Sequence, residues 1–127
     1  MATLTTIGGV QITFVARAIS GIADHDATTG QAVTCIYGLS DKHVAVRESV
    51  PAIMARLKIG NNFAQLTRAN GSPVWLNGSA VTSLRPPLPN EYVAGVNTVI
   101  FAAALTQGVK EPPDVVTTAI NARGGDL

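Results

Sequence analysis

The chain is short of charge, of aromatic rings and of cysteine. Asp, Glu, Lys and Arg make up 13% of its 127 residues, against roughly 25% in an average soluble domain. Thr, Asn, Ser, Gln and Gly must therefore supply much of the polar surface. Aromatic residues make up 5%, and Cys35 is the single cysteine. One thiol excludes an intrachain disulfide, and a bridge to another chain stays open only where Cys35 meets a contact surface. Cys35 stands in the strand-like run Val33-Thr34-Cys35-Ile36-Tyr37, where a thiol is expected as a small buried hydrophobe. The formal net charge is +1, and Arg17, Lys42, Arg47, Arg56, Lys58, Arg68, Arg85, Lys110 and Arg123 form no run. That removes any global electrostatic case for nucleic acid or an anionic membrane.

Long apolar runs are missing too. The longest, Val99-Ile100-Phe101-Ala102-Ala103-Ala104-Leu105, falls far short of the roughly 18 residues a spanning helix needs. Met1-Ala2-Thr3-Leu4 has no basic region and no apolar stretch behind it, so no secretory signal is expected. The expectation is a soluble protein, or part of a soluble assembly, with no membrane contact. The length suits one compact domain or two small packed units.

What is present is turn chemistry and alternation. Asn70-Gly71 lies between Leu66-Thr67 and Val74-Trp75-Leu76-Asn77, which predicts a hairpin with a type I′ turn, φ positive at both central residues. Val10, Ile12 and Phe14 alternate with Gln11 and Thr13, a half-buried strand that Gly8-Gly9 joins to Leu4-Ile7 by a two-residue turn. Ile19-Ile22, Ala32-Tyr37 and His43-Val46 read as further strands, with a hairpin around Ser40-Asp41-Lys42. Val50, Ile53, Met54 and Leu57 then recur at helical spacing. Ser49 is the expected N-cap, Pro51 sits in the first turn, and Gly60 ends the helix.

The same series runs again. Leu66-Thr67 repeats Leu4-Thr5, and Asn70-Gly71 falls on Gly8-Gly9. Val74 and Leu76 fall on Ile12 and Phe14, Ala80-Val81-Thr82 on Ala18-Ile19-Ser20, and Leu84 on Ile22. Thr98-Val99-Ile100-Phe101 matches Thr34-Cys35-Ile36-Tyr37, Val109-Lys110-Glu111 matches Val46-Arg47-Glu48, and Val116 and Ile120 match Ile53 and Leu57. The offset drifts only inside loops, and turn, strand and helix features arrive in one order, which predicts an internal duplication. The units are residues 1–60 and 61–127. In the second, the loop Arg85-Pro86-Pro87-Leu88-Pro89-Asn90 is extended and stiff. Its helix, opening at Pro112-Pro113-Asp114 and stopping at Gly124-Gly125, is β-branched over Val115–Thr118 and depends on packing.

The pattern carried by Leu66, Thr67, Arg68, Asn70, Gly71, Leu76, Asn77, Thr98, Val99, Ile100, Val109, Lys110 and Glu111 resembles the FlbD-like small flagellar proteins, here as a tandem duplication. The chain departs from that family in being doubled and in having Gly8-Gly9 for Asn-Gly in the first half. The resemblance implies a fold more than an activity. The Thr/Ala/Gly/Asn-rich, low-charge composition resembles that of bacteriophage virion proteins.

Chemical signatures are few. Asp24-His25-Asp26 is the one run with metal-ligand residue types, but alternate residues of an extended segment point apart, so a solvated loop is the expectation. No nucleophile elbow, Cys–His pair or phosphate-binding glycine pattern occurs. Glu48 and Glu111 recur at the helix entrances, where a carboxylate favours the helix dipole. No catalytic, cofactor-binding or metal-binding residue is assigned, no cofactor is expected, and the chain is read as no enzyme.

The expected fold is mainly β with short helices: two tandem hairpin-rich, barrel-like units, each closed by a short helix and packed with pseudo-symmetry. Their shared core is expected from Ile12, Phe14, Ile19, Ile36, Val46, Ile53, Leu57, Val74, Leu76, Val81, Ile100, Val109 and Ile120. The expected function is a structural subunit of a larger assembly, a phage capsid-decorating, coat or neck/tail component located in the virion. Its partners are copies of itself or capsid and tail proteins. Trp75, Arg68, Arg85, Pro86, Pro87 and Pro89 are the partner-contact candidates, with Trp75 pointing away from the face of Val74 and Leu76. The alternatives are a cytoplasmic, regulatory or flagellum-associated binding module, and a small nucleic-acid-binding barrel using Trp75 with Arg68 and Arg85.

Overall fold

A computed structural model describes residues 2–25, 33–39, 43–58, 60–103 and 105–127. It is mainly β. Strands β1 (Ala2–Thr5), β2 (Gln11–Phe14), β3 (Gly21–His25), β4 (Val33–Tyr37) and β5 (Val44–Val46) precede helix α1 (Val50–Leu57). Strands β6 (Phe63–Thr67), β7 (Pro73–Asn77), β8 (Val81–Arg85), β9 (Thr98–Ala102) and β10 (Leu105–Val109) precede helix α2 (Pro113–Asn121). A 3₁₀ turn follows β2 at Ala16–Ala18 and follows β7 at Gly78–Ala80. The order of elements in the first half is thus the order in the second. The hairpin expected around residues 40–42 and the residues Asp26 and Ala32 lie outside the described residues.

Both hairpin turns differ from the two-residue expectation in the same way. Thr6 N–H donates to Val10 O at 2.8 Å and Gly9 N–H to Thr6 O at 3.0 Å; Arg68 N–H donates to Ser72 O and Gly71 N–H to Arg68 O, both at 2.9 Å. Gly9 and Gly71 each have φ +87°, while Asn70 is not among the residues of positive φ. Each turn is a three-residue loop in which the last glycine alone takes the left-handed conformation, the bulged hairpin and not the type I′ turn. Asn70 serves through its side chain, Oδ1 accepting from Ser72 N–H at 3.0 Å.

The carboxylates at the helix entrances do more than face a dipole. Glu48 accepts the Thr5 N–H at 3.1 and 3.0 Å, and Glu111 accepts the Thr67 N–H at 3.0 Å. Thr34 Oγ1 donates to Glu48 O and Thr98 Oγ1 to Glu111 O, each at 2.7 Å. Each glutamate therefore ties the first strand of its half to the approach of the helix. Partial burial pushes the Glu48 carboxyl up, but the Thr5 amide, its own amide and Arg56 outweigh it and hold the group below its usual range. Ser49 caps α1 as expected, accepting from Ala52 N–H at 3.3 Å. The helix closes on Lys58 with φ +56°, two residues before the expected Gly60.

The strands form three sheets: β1-β2, β5-β4-β3-β7-β6, and β10-β9-β8, all antiparallel. The five-stranded sheet crosses the division at residue 60, because β3 pairs with β7 as Gly21↔Leu76, Ile22↔Trp75 and Ala23↔Val74. In place of one shared core there are two clusters. Leu4, Ile19, Ile22, Ile36, Val46, Val50, Ile53, Leu57 and Phe63 make the first. Ala23, Ala64, Leu66, Val74, Leu76, Val81, Ile100, Leu105, Val109, Val116 and Ile120 make the second. Alternate residues of β3 and β7 serve different clusters, as the two-residue period of a strand requires. Ile12 and Phe14, expected inside, are half-buried.

Candidate docking surface

An open, partly apolar surface surrounds β2. Among the described residues this strand pairs only with β1. Thr6 and Val10 are a bonded pair, so along the antiparallel ladder Ile12 and Phe14 turn their backbone groups towards β1, while those of Gln11 and Thr13 face outward. The edge carries no charge and no proline over 11–15, two of the devices by which exposed strand edges are kept from pairing. Val10 is 64% and Val15 50% exposed. Beside them Ile12, Thr13, Phe14, Val15, Ala18, Leu39 and Val44 line a groove of about 360 Å³.

A second open edge is β8, which among the described residues pairs only with β9. It runs into the loop that holds four of the expected contact residues. Arg85 grips Glu91 with two hydrogen bonds, Nη1–Oε1 at 2.7 Å and Nη2–Oε2 at 2.6 Å. Its guanidinium carbon lies 5.3 Å from the centroid of the Phe101 ring, within cation–π range. Glu91 Oε1 also accepts from Leu88 N–H at 2.9 Å. The Arg85 hydrogen bonds, with the Leu88 amide, bring the Glu91 carboxyl down to about 2, and the same pairing raises Arg85. Leu88-Pro89-Asn90-Glu91 forms a turn, Glu91 N–H donating to Leu88 O at 3.0 Å with Asn90 at φ +63°, the Pro-Asn arrangement of a type II turn. Pro86 and Pro89 are exposed and Pro87 is half-buried.

Trp75 and Arg68 are placed elsewhere. Trp75 leaves the face of Val74 and Leu76, as the alternation required, and packs half-buried against the first-half cluster. Arg68 reaches back to the first half through Nη2, which donates to Asp24 O at 3.1 Å, while its Nε is buried without a hydrogen-bond partner. Cys35 is buried at 3% exposure, and burial pushes its thiol up, with Arg68 opposing. The structure therefore groups Arg85 with Pro86, Pro87 and Pro89 and leaves Trp75 and Arg68 at the contact between the halves. Sequence reading missed Val10 and Val15 as surface.

Among the described residues no group of three His, Cys, Asp or Glu could hold a metal ion. No helix among them is long and apolar enough to cross a membrane. No protein-family model, no curated protein and no solved structure matches the chain.

Proposed function

We propose that this chain is a non-enzymatic structural subunit of a larger assembly, a bacteriophage virion protein of the capsid-decorating, coat or neck/tail kind. It acts by burying β-surface between neighbouring subunits. One observation carries the reading: the uncharged outer edge of β2, unpaired among the described residues, flanked by exposed Val10 and Val15 and opening on an apolar groove. An edge of this composition pairs readily with a further strand. The Thr/Ala/Gly/Asn-rich, charge-poor composition of the chain supports the same reading.

The test is fractionation of the particles made by the phage or prophage that encodes the chain. Co-sedimentation with virions, with immunogold label on head or tail, is expected. Absence from particles, together with a monomer at high concentration, overturns the reading. Flagellar neighbours in the genome, with binding to a flagellar protein, would replace it by the flagellum-associated module.

A further inference from the structure

The two open edges belong to a junction that the chain already makes once. With the short contacts Thr6↔Val46, Arg47 N–H to Thr5 O and Lys110 N–H to Thr67 O included, the strands follow one another as β2-β1-β5-β4-β3-β7-β6-β10-β9-β8. The ends of this series are β2 and β8, and its middle is the β3–β7 junction between the halves. By order and by register, β2 stands in the first half where β7 stands in the second, and β8 stands where β3 does. Ser83 lies opposite Phe101 and Leu84 opposite Ile100, as Gly21 lies opposite Tyr37 and Ile22 opposite Ile36. The free end of each half is thus the counterpart of an edge that is paired in the middle.

We propose that β2 of one copy pairs antiparallel with β8 of a second copy of this chain, in the register of the internal β3–β7 junction. The inference rests on the assembly reading above and names its partner. The internal pairs Gly21↔Leu76, Ile22↔Trp75 and Ala23↔Val74 translate into Ser83↔Phe14, Leu84↔Thr13 and Arg85↔Ile12. The bond from Asn77 N–H to Ser20 O, 2.9 Å in the middle junction, translates into one from Val15 N–H to Thr82 O. The outward backbone groups of Thr13 are where this needs them, and the same alternation puts the Val15 N–H on that side, its carbonyl being taken by the Ala18 N–H at 2.9 Å.

The side chains follow the same translation. Tyr37 of β4 packs across the middle junction against the second-half cluster. Its counterpart in β9 is the half-buried Phe101. In the second copy this ring meets the groove of Ile12, Phe14, Val15, Leu39 and Val44. Arg85 stands in the place of Ala23, but Glu91 already neutralises it, so β8 brings no net charge to an uncharged edge. The two patches differ from one another, so the contact is heterologous, and its repetition gives a ring or an open series of copies. The apolar edge of β2 and its complement are thereby both covered.

The experiment is sedimentation velocity over a concentration series, combined with disulfide trapping. Wild-type chain is expected to sediment as multimers that grow with concentration. Thr13→Lys, at an exposed side chain, is expected to return it to monomer with its circular dichroism unchanged. Phe14→Cys combined with Ser83→Cys is expected to give a ladder of covalent multimers on oxidation. Gln11→Cys with Ser83→Cys, out of register, is expected to give none. A wild-type monomer without a ladder, a disulfide formed only within one chain, or association unaffected by Thr13→Lys overturns the proposal. Virion fractionation separates the two claims: a chain found in particles that does not self-pair keeps the assembly reading and loses this one.

Discussion

The hairpins β1-β2 and β6-β7 have the same turn and different fates. Both close through a bulged three-residue loop with glycine at φ +87°. Both send alternate apolar residues to one face. Yet Val74 and Leu76 are 0% exposed, while Ile12 and Phe14 are only half-buried. The difference lies in the neighbour. β7 lies against β3 and contributes to a cluster on each face, whereas β2 has β1 on one side and no strand of this chain described on the other. Alternation states which residues would be buried together, and the neighbouring strand decides whether they are.

Substitutions can break this contrast, beginning with the core. Leu76→Ala should cost about 2–5 kcal/mol, the usual range for a fully buried leucine. Phe14→Ala in the isolated chain should cost less, about 1–2 kcal/mol, because the residue is only partly buried. Urea unfolding of both variants under monomeric conditions checks the pair.

Next comes Asn77, at the place of Val15. Its buried amide donates to Ile19 O at 2.9 Å and its Oδ1 accepts from Ser79 N–H at 3.2 Å. Asn77→Ala strands a buried carbonyl and an amide, for about 1–3 kcal/mol. Val15→Ala should stay within about 0.5 kcal/mol, again read from unfolding midpoints.

A comparable effect is expected at Gly78, which occupies the place of Ala16 in the first half. A Cβ on Gly78 would lie 2.8 Å from the carbonyl carbon of Arg123 and 2.8 Å from Ile120 O. The chain end after α2 packs there, so Gly78→Ala should cost about 1–3 kcal/mol by overpacking. Ala16→Gly tests whether the first half makes any such demand, and thermal melts of the two variants sharpen the difference.

The smallest effect concerns the loop after β8. The Glu91 carboxyl lies at about 2 when folded, below its ordinary 4.5. A depressed carboxylate contributes stability that is complete above the unfolded value and is lost as pH falls towards the folded one. The loop should therefore hold its shape at neutral pH and loosen between about pH 4.5 and 2. Carboxyl carbon shifts of Glu91 by NMR follow this, and Arg85→Ala should return the titration to the ordinary carboxylate range.

Much of the fold was legible because its signals are local. Ser49, Pro51 and the spacing of Val50, Ile53 and Leu57 describe α1. Glycine placed the two turns, although the turn type was misread, since Asn70 works through its side chain and not through φ. The bonds made by Glu48 and Glu111 were missed for a different reason. Their partners, Thr5 and Thr67, are distant in sequence, and no local pattern announces a bond between a helix entrance and the amide of an earlier strand. The surface around β2 was hidden likewise, because Ile12 and Phe14 carry the alternation of core residues.

By itself the sequence determined the list of elements, their order twice over, and which residues of each strand share a face. These follow from backbone sterics and two- or 3.6-residue periods, which act over a few positions. Only the tertiary structure decided that β7 joins β3, that Trp75 packs against the opposite half, and that β2 and β8 are edges among the described residues. Strand pairing is chosen by non-local hydrogen bonding and burial, and one alternating strand satisfies several partners equally well until the rest of the chain is in place.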